Sequence, residues 1–228
     1  KDESLYAAEA LLRIHDKNGN FISPAEAIPI LEESGLIIPV GKWIIQNAFS
    51  MCTECRKYYP EFRVSINLSY VQILKSPLMM ELKQMIDHSG ISCSGIIVEL
   101  TESGYLEGTP AVRSVWNDMK QLRIQIALDD FGTGYSNLMN ISNLEPDIVK
   151  LDRGFTLKAL SRSYEYQLMQ YVIEMVHKLN QYVCVEGVET KEDLEKIKAL
   201  GPDLIQGYYY SKPCSRNEFL KKFFCYSE

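Results

Sequence analysis

The sequence predicts an α/β fold of the TIM-like (β/α)8 barrel type, and three observations lead to that expectation. Short runs rich in β-branched residues alternate with helical patterns, as they do in parallel βαβ units. The 228 residues are 46% hydrophobic, so the chain can bury one large core. A polar side chain also stands near the end of each predicted strand, where a barrel gathers its functional groups. We expect a single domain over residues 1–228.

Seven segments have the composition of strands, and helical stretches separate them. They span residues 5–13, 63–69, 96–102, 124–130, 147–152, 182–187 and 203–207. The clearest helix start is Ser23-Pro24-Ala25-Glu26, which offers a capping Ser, a Pro at the first helical position and a Glu three residues after the cap. The order of strands and helices therefore indicates repeated βα units.

Charge and hydropathy argue against two classes of protein. The 24 basic and 30 acidic residues give a net charge of −6, so the chain lacks the basic surplus typical of proteins that bind duplex nucleic acid. No apolar run approaches the roughly 20 residues that span a bilayer, and no signal segment opens the chain. We expect a cytoplasmic domain. Because the chain starts at Lys1 and not at methionine, we also expect a longer protein, whose upstream part could tether it to a membrane.

The six cysteines predict reduced, structural thiols. They include one C-x-x-C pair, Cys52 and Cys55, but no second pair at the spacing of metal ligands. Ile44, Ala48, Cys52 and Cys55 fall at the helical spacing of a buried stripe, which favours a place in the core.

Polar groups stand near the carboxyl ends of all the predicted strands. They are Glu9, Asn67, Glu99, Asp129, Asp130, Lys150, Glu186 and Gln206. Any one of these side chains alone is as well explained by a helix cap or a solvated loop. Because the carboxyl ends of barrel strands converge on one mouth, their recurrence on every strand predicts a single polar cluster.

The chemistry of this cluster indicates a site for hard cations. Several carboxylates with one amide, and no nearby histidine, form the oxygen-rich set that suits Mg²⁺ or Mn²⁺. His15, His88 and His177 are scattered and match no zinc motif. Crowded carboxylates raise one another's pKa, and a bound cation relieves that repulsion. Two ions held together can also bind a phosphodiester and activate water.

The adjacent pair Asp129-Asp130 poses a geometric problem, because neighbouring side chains of a regular strand point to opposite faces. We expect the strand to end at the pair. With the chain bending into Phe131-Gly132, both carboxylates could then reach the mouth, one bridging two ions and the other serving the second.

A different class of enzyme remains open at this point. A lysine at the end of a barrel strand, here Lys150, is also typical of lyases that form a Schiff base. That hypothesis leaves the surrounding acids unexplained.

A series of motifs resembles, in the same order, those of the EAL-domain cyclic-di-GMP phosphodiesterases. The motifs are EALLR (9–13), SINLS (65–69), ELTES (99–103), ALDDFGTGYS (127–136), VKLDR (149–153), VEGVET (185–190) and QGYYYSKP (206–213). The resemblance covers nearly the whole chain. It implies metal-dependent hydrolysis of one phosphodiester bond of cyclic di-GMP to linear 5′-pGpG, which ends a bacterial second-messenger signal. The alternative within the family is an inactive receptor for the same dinucleotide.

The resemblance also implies roles for the strand-end residues. The first of two Mg²⁺ or Mn²⁺ ions would be held by Glu9, Asn67, Glu99 and Asp129. The second ion and its water would be held by Asp129, Asp130 and Glu186. Lys150 would lie beside the nucleophilic water, and Gln206 would help to position that water.

Three residues outside that set receive roles from the same resemblance. Arg13 matches the family's phosphate-contacting arginine, and a planar guanidinium can grip a phosphate with two hydrogen bonds. Asp152 is expected to contribute a further polar contact on the substrate side, near the second metal. Glu102 matches the glutamate that holds the loop after the two aspartates, here Gly132 to Ser136.

The family also leads us to expect certain partners. They are a second copy of the chain in a homodimer, and an upstream sensor or diguanylate-cyclase-like domain. EAL domains normally begin with a strand that pairs antiparallel with the glutamate strand, and no such strand precedes Leu5 here. We therefore expect a gap in the barrel wall beside Glu9, or its closure by another segment or molecule.

Overall fold

The computed structural model describes residues 4–101, 109–133 and 144–224. Their backbone contacts divide into two compact units. The first unit holds residues 5–99, 109–124 and 220–224, and the second holds residues 4, 100–101, 125–133 and 144–219. The expectation of a single domain over the whole chain stays a prediction.

The first unit contains five strands and most of the helices before residue 125. Its strands are β1 (Ala7–Ala10), β2 (Ile14–His15), β3 (Phe21–Ile22), β4 (Arg63–Asn67) and β5 (Ile96–Thr101), whose last two residues belong to the second unit. Its helices are α1 (Pro24–Ser34), α2 (Ile37–Cys55), α3 (Tyr70–Lys75), α4 (Leu78–Ser89), a short 3-10 turn (Cys93–Gly95) and α5 (Pro110–Gln121).

The second unit repeats the alternation of strand and helix. Its strands are β6 (Gln125–Phe131), β7 (Ile148–Leu151), β8 (Tyr182–Val185) and β9 (Leu204–Ile205). The helices that follow are α6 (Arg153–Ser161), α7 (Ser163–Lys178), α8 (Lys191–Ala199) and α9 (Arg216–Phe224), the last of which ends in the first unit.

Strand pairing within each unit is parallel, apart from one hairpin. In the first unit β4 lies between β1 and β5 and pairs with both in parallel. In the second unit β6, β7, β8 and β9 pair in chain order, again in parallel. The seven strands predicted from the sequence are therefore all present, and they have the parallel direction that βαβ units require.

The first predicted strand is shorter than expected, because the chain turns back into a hairpin. β1 ends at Ala10, and β2 pairs antiparallel with β3 a few residues later. The hairpin turn is held by Asp16, whose Oδ1 accepts the N–H groups of Asn18 and Asn20, each at 2.8 Å. Such a local side-chain turn competes with continued strand pairing.

Helix α1 begins where the sequence predicts, although its cap differs from the expectation. Pro24 occupies the first turn, and the carbonyl oxygen of Ser23 accepts the N–H groups of Glu26 and Ala27 at 3.0 Å. The Ser23 hydroxyl makes no capping hydrogen bond. The start of this helix therefore depends on proline and backbone geometry.

Each unit has its own apolar core on the helix-facing side of its strands. In the first unit, Ile66 of β4 is buried with Phe49 and Cys52 of α2. In the second unit, Val149 of β7 and Ile173 of α7 are likewise buried. Within the described ranges, no helix combines the length and the apolar character that crossing a membrane demands.

Candidate active site

Three of the predicted ligands lie together at the carboxyl ends of the first unit's strands. Asn67 is the register partner of Glu99, and its Nδ2 donates to Oε1 of Glu9 across 2.7 Å. Glu9 pairs in register with Ser65, and Asn67 stands two residues after Ser65 on the same strand. The side chains of Glu9 and Asn67 therefore lie on one face of the sheet. Glu99 is only 3% exposed. This unit therefore gathers two carboxylates and one amide, as the sequence predicts.

The second unit gathers a buried lysine and two acids. Lys150 Nζ lies 2.8 Å from Oε1 of Glu186 and 3.2 Å from Oδ1 of Asp129. Lys150 pairs in register with Cys184, and Glu186 stands two residues after Cys184. The side chains of Lys150 and Glu186 therefore project to the same face of the sheet. The Lys150 amine is engaged by two carboxylates, whereas a Schiff base needs an amine that can attack a carbonyl carbon. This geometry argues against the lyase hypothesis.

The structure resolves the problem of the two adjacent aspartates differently from our expectation. β6 does not end at the pair but continues to Phe131, whose register partner is Leu151. One residue of β7 lies between Val149 and Leu151, whereas two residues of β6 lie between their partners Leu128 and Phe131, so β6 carries one extra residue. Asp130 is the extra residue, and its backbone φ is +60°. A β-bulge, and not the end of the strand, breaks the alternation of faces.

Arg13 is exposed on the first unit, shortly after β1. Its Nη1 donates to the Leu12 carbonyl oxygen at 3.0 Å, and its guanidinium carbon lies 5.8 Å from the ring centre of Phe21. Phe21 is 54% exposed, and its ring also meets that of His15 edge-on at 6.0 Å. The exposed guanidinium keeps N–H donors for an anion, and the Phe21 ring limits where it can lie.

Asp152 and Gln206 follow the ends of β7 and β9 in the second unit. Oδ1 of Asp152 accepts the N–H groups of Gly154 at 2.7 Å and Phe155 at 3.2 Å, so this carboxylate caps helix α6. Its role in substrate binding stays a prediction. Gln206 directly follows β9 and donates its backbone N–H to the Val185 carbonyl oxygen at 2.9 Å.

Two expectations fall on residues that the structure leaves undescribed. Glu102 lies outside the described residues, as does the loop from Gly134 to Ser136. Among the residues that are described, no three Asp, Glu, His or Cys side chains form a cluster ready to hold a metal. The donor types nevertheless suit a hard divalent cation, because each unit presents oxygen ligands at its strand ends.

One pair of residues near the site was missed by the sequence reasoning. Arg153 Nη2 lies 2.7 Å from Oε1 of Glu189, and its Nε lies 3.2 Å from the same oxygen. The hydrogen bond and the charge of Glu189 raise the pKa of Arg153 above its usual value. Glu189 does not cap the next helix, because the Thr190 side chain does so by accepting the Asp193 N–H. Arg153 stands three residues after Lys150 and Glu189 three residues after Glu186, but the contact between them depends on the tertiary structure.

Comparison with known proteins connects this chain to one family. The family model described as the EAL domain matches residues 1–213. The cyclic di-GMP phosphodiesterase PdeF of Escherichia coli (strain K12) is 32% identical over 90% of the chain. The bifunctional diguanylate cyclase/cyclic di-GMP phosphodiesterase MucR of Pseudomonas aeruginosa is 27% identical over 95% of it. The chain spans only 27% of PdeF and 32% of MucR.

A solved structure is similar throughout the chain. The EAL enzyme Bd1971, in a form bound to cAMP and cyclic-di-GMP, superposes with a TM-score of 0.92 at 29% identity. The match covers 98% of this chain and 61% of that one. The (β/α) barrel-type fold predicted from the sequence is thereby confirmed, and the residues that the structure describes supply seven parallel strands.

Proposed function

Because this chain belongs to the EAL-domain family, we propose that it hydrolyses one phosphodiester bond of cyclic di-GMP to give linear 5′-pGpG. The observation that carries the proposal is the buried ammonium of Lys150, held between Asp129 and Glu186. A buried charge needs partners, and these partners are the acids that a metal-dependent hydrolase of this family would use. The names of PdeF and MucR, both cyclic di-GMP phosphodiesterases, support the same activity.

Two divalent cations, Mg²⁺ or Mn²⁺, complete the proposed site. We assign the first to Glu9, Asn67, Glu99 and Asp129, and the second to Asp129, Asp130 and Glu186. When bound, such ions polarise the phosphodiester and supply a nucleophilic water at neutral pH. The oxygen donors and the burial of Glu99 and Asp129 support this assignment, because buried carboxylates are stabilised by a cation.

The chain's own residues orient the reacting groups. Lys150 keeps its ammonium against Glu186 and Asp129, so it holds a positive charge at the place where the attacking water and the phosphate would meet. Arg13 has guanidinium N–H groups available to bind a phosphate oxygen. Gln206, directly after β9, would orient the water through its amide. Catalysis of this kind depends on placement and on charges that are already in position.

Product analysis tests the proposal directly. The chain is incubated with cyclic di-GMP and Mg²⁺ or Mn²⁺, with and without chelator, and the nucleotides are separated. We expect pGpG only when metal is present. Glu186→Gln should abolish the product, whereas Glu195→Gln, which changes an exposed acid of α8 in the same unit, should not. A metal-loaded chain that binds cyclic di-GMP without forming pGpG would instead be a receptor.

We further propose a cytoplasmic domain in a longer, homodimeric protein. MucR, which carries a diguanylate cyclase and a phosphodiesterase in one chain, supports an upstream sensor or cyclase-like domain. Cys52, Cys55, Cys93, Cys184 and Cys214 are all free thiols, which agrees with a reducing compartment. Glu102 is proposed to couple dimerisation to activity through the loop after Asp130. Unchanged activity, metal dependence and oligomeric state in Glu102→Ala would rule out that coupling.

A further inference from the structure

Two ion pairs join the same two strand ends in the second unit. The inner pair is Lys150–Glu186, at 2.8 Å, and the outer pair is Arg153–Glu189, at 2.7 Å. Each member of the outer pair stands three residues after its counterpart in the inner pair. The outer pair therefore joins the segment that follows β7 to the segment that follows β8, three residues beyond Lys150 and Glu186.

The segment between Glu186 and Glu189 is confined by the Arg153 side chain on one side. Gly187 turns the chain with a φ of +78°, and a Cβ at that position would lie 2.4 Å from Cγ of Arg153. The stem of Arg153 therefore packs directly on the turn, while its guanidinium holds Glu189 with two N–H groups. One arginine thus contacts both the middle and the end of this segment.

The segment is held from the other side by the chain that follows β9. Val188 is fully buried, and its N–H donates to the Gln206 carbonyl oxygen at 3.3 Å. The N–H of Tyr209 donates to the carbonyl oxygen of Val188 at 3.0 Å. With its middle fixed by these bonds and its end fixed by Arg153, the segment leaves Glu186 little freedom to move away from Lys150.

The outer pair is too exposed for its main effect to be on the stability of the folded chain. The side chains of Arg153 and Glu189 are 58% and 37% exposed, and ion pairs in solvent contribute little to the free energy of unfolding. The inner pair is much less exposed, since the side chains of Lys150 and Glu186 are 4% and 19% exposed. Small displacements of a catalytic carboxylate, by contrast, strongly affect metal binding and turnover.

We propose that Arg153 and Glu189 form a clasp that positions Glu186 for the metal and for Lys150. Both are positioning residues, because they act through Glu186 and through the turn at Gly187. This inference rests on the proposed function, in which Glu186 is a ligand of the second ion. Loss of the clasp should therefore weaken metal binding and lower kcat, while KM for cyclic di-GMP stays nearly constant.

Three variants and one control test the clasp in the full chain. Glu189→Gln removes one charge at nearly constant size, Arg153→Ala removes the other partner, and the exchange R153E/E189R restores the pair in reverse. The control is Arg162→Ala, which breaks an exposed pair of similar length, Arg162–Glu165 at 3.1 Å, at the start of α7. Thermal unfolding of each variant verifies that it folds.

The measurements are Mn²⁺ affinity by titration calorimetry, and kcat and KM for pGpG formation. We expect Glu189→Gln and Arg153→Ala to lose roughly 10- to 100-fold in Mn²⁺ affinity and in kcat, as for other residues that orient ligands. The exchange should recover part of both losses, and Arg162→Ala should resemble wild type. Unchanged Mn²⁺ affinity in Glu189→Gln, or an exchange no better than the single variants, overturns the clasp.

The Mn²⁺ titration also separates this inference from the proposed function. A wild-type chain that binds Mn²⁺ but forms no pGpG contradicts hydrolysis, and the clasp is then judged by Mn²⁺ affinity alone. A wild-type chain without measurable Mn²⁺ binding overturns both proposals. Should Arg153→Ala fail to fold, Glu189→Gln decides the outcome, because it leaves the packing of Arg153 on Gly187 in place.

Discussion

Asp130 donates its backbone N–H to Oδ1 of Asp129 across 2.9 Å, while its own φ is +60°. The hydrogen bond and the left-handed backbone belong to the same β-bulge in β6. Asp129 is buried and reaches Lys150, whereas Asp130 is exposed. A doubled aspartate therefore places one carboxylate in the buried cluster and leaves the other accessible.

The bulge predicts that the backbone and the carboxylate of Asp130 have separate effects. Ala is strained at a φ of +60° and Gly is not. The free energy of unfolding of Asp130→Ala should therefore be about 1 kcal/mol lower than that of Asp130→Gly. Both variants should lose cleavage of cyclic di-GMP, because both lack the carboxylate. Denaturant unfolding and product analysis measure the two effects.

Asn180 provides a matched control for these variants. It follows α7 with a φ of +58° and is not among the proposed site residues. Asn180→Ala should show a similar loss of stability relative to Asn180→Gly, with cleavage unchanged in both. Equal stability of Asp130→Ala and Asp130→Gly would contradict the assigned bulge.

The buried lysine predicts a combined effect on stability and activity. Lys150→Met leaves the carboxylates of Asp129 and Glu186 without their ammonium, and breaking a buried ion pair typically costs about 3 kcal/mol or more. We expect a destabilisation of that order in metal-free buffer, together with complete loss of pGpG formation. Lys158→Met, which changes an exposed lysine on α6, should unfold like wild type. If the two variants were equally stable, the ion pairs of Lys150 would not contribute to folding.

The assignment of Glu9 predicts the response to metal. A ligand that binds only the folded chain raises its stability by about 2.7 kcal/mol at 100 times the dissociation constant, so Mg²⁺ should raise the Tm of wild type. Glu9→Ala should fold, fail to hydrolyse cyclic di-GMP and lose this rise. Glu33→Ala, which changes an exposed acid on α1, should retain it. Identical Tm shifts in wild type and Glu9→Ala would show that Glu9 does not bind the ion.

Burial of Cys52 predicts that its thiol is unreactive in the folded chain. Desolvation raises the pKa of Cys52 to about 11, so the reactive thiolate is scarce at neutral pH. Maleimide at pH 7 should label exposed Cys214 quickly and Cys52 only after unfolding, as peptide mass spectrometry can measure. Raising the pH toward 11 should increase the thiolate fraction, although burial still restricts access. Rapid labelling of Cys52 at pH 7 would place it outside the core.

Much of the site followed from the sequence because strands impose a simple order on side chains. A period of two residues and parallel pairing bring the polar ends of neighbouring strands to the same edge. Asn67 beside Glu99 and Lys150 beside Glu186 are direct results of that rule. The cap formed by Asp152 was not predicted, although it depends only on the N–H groups two and three residues further along the chain.

The sequence alone determined the alternation of strands and helices, the residue types at the strand ends and, through its motifs, the family. Those features depend on local periodicity and on neighbours close in the chain. Only the tertiary structure decided that β6 continues past Asp129 through a bulge, and that Arg153 forms an ion pair with Glu189, 36 residues away. Both features are set by the register between strands and by contacts between distant segments, which no local pattern encodes.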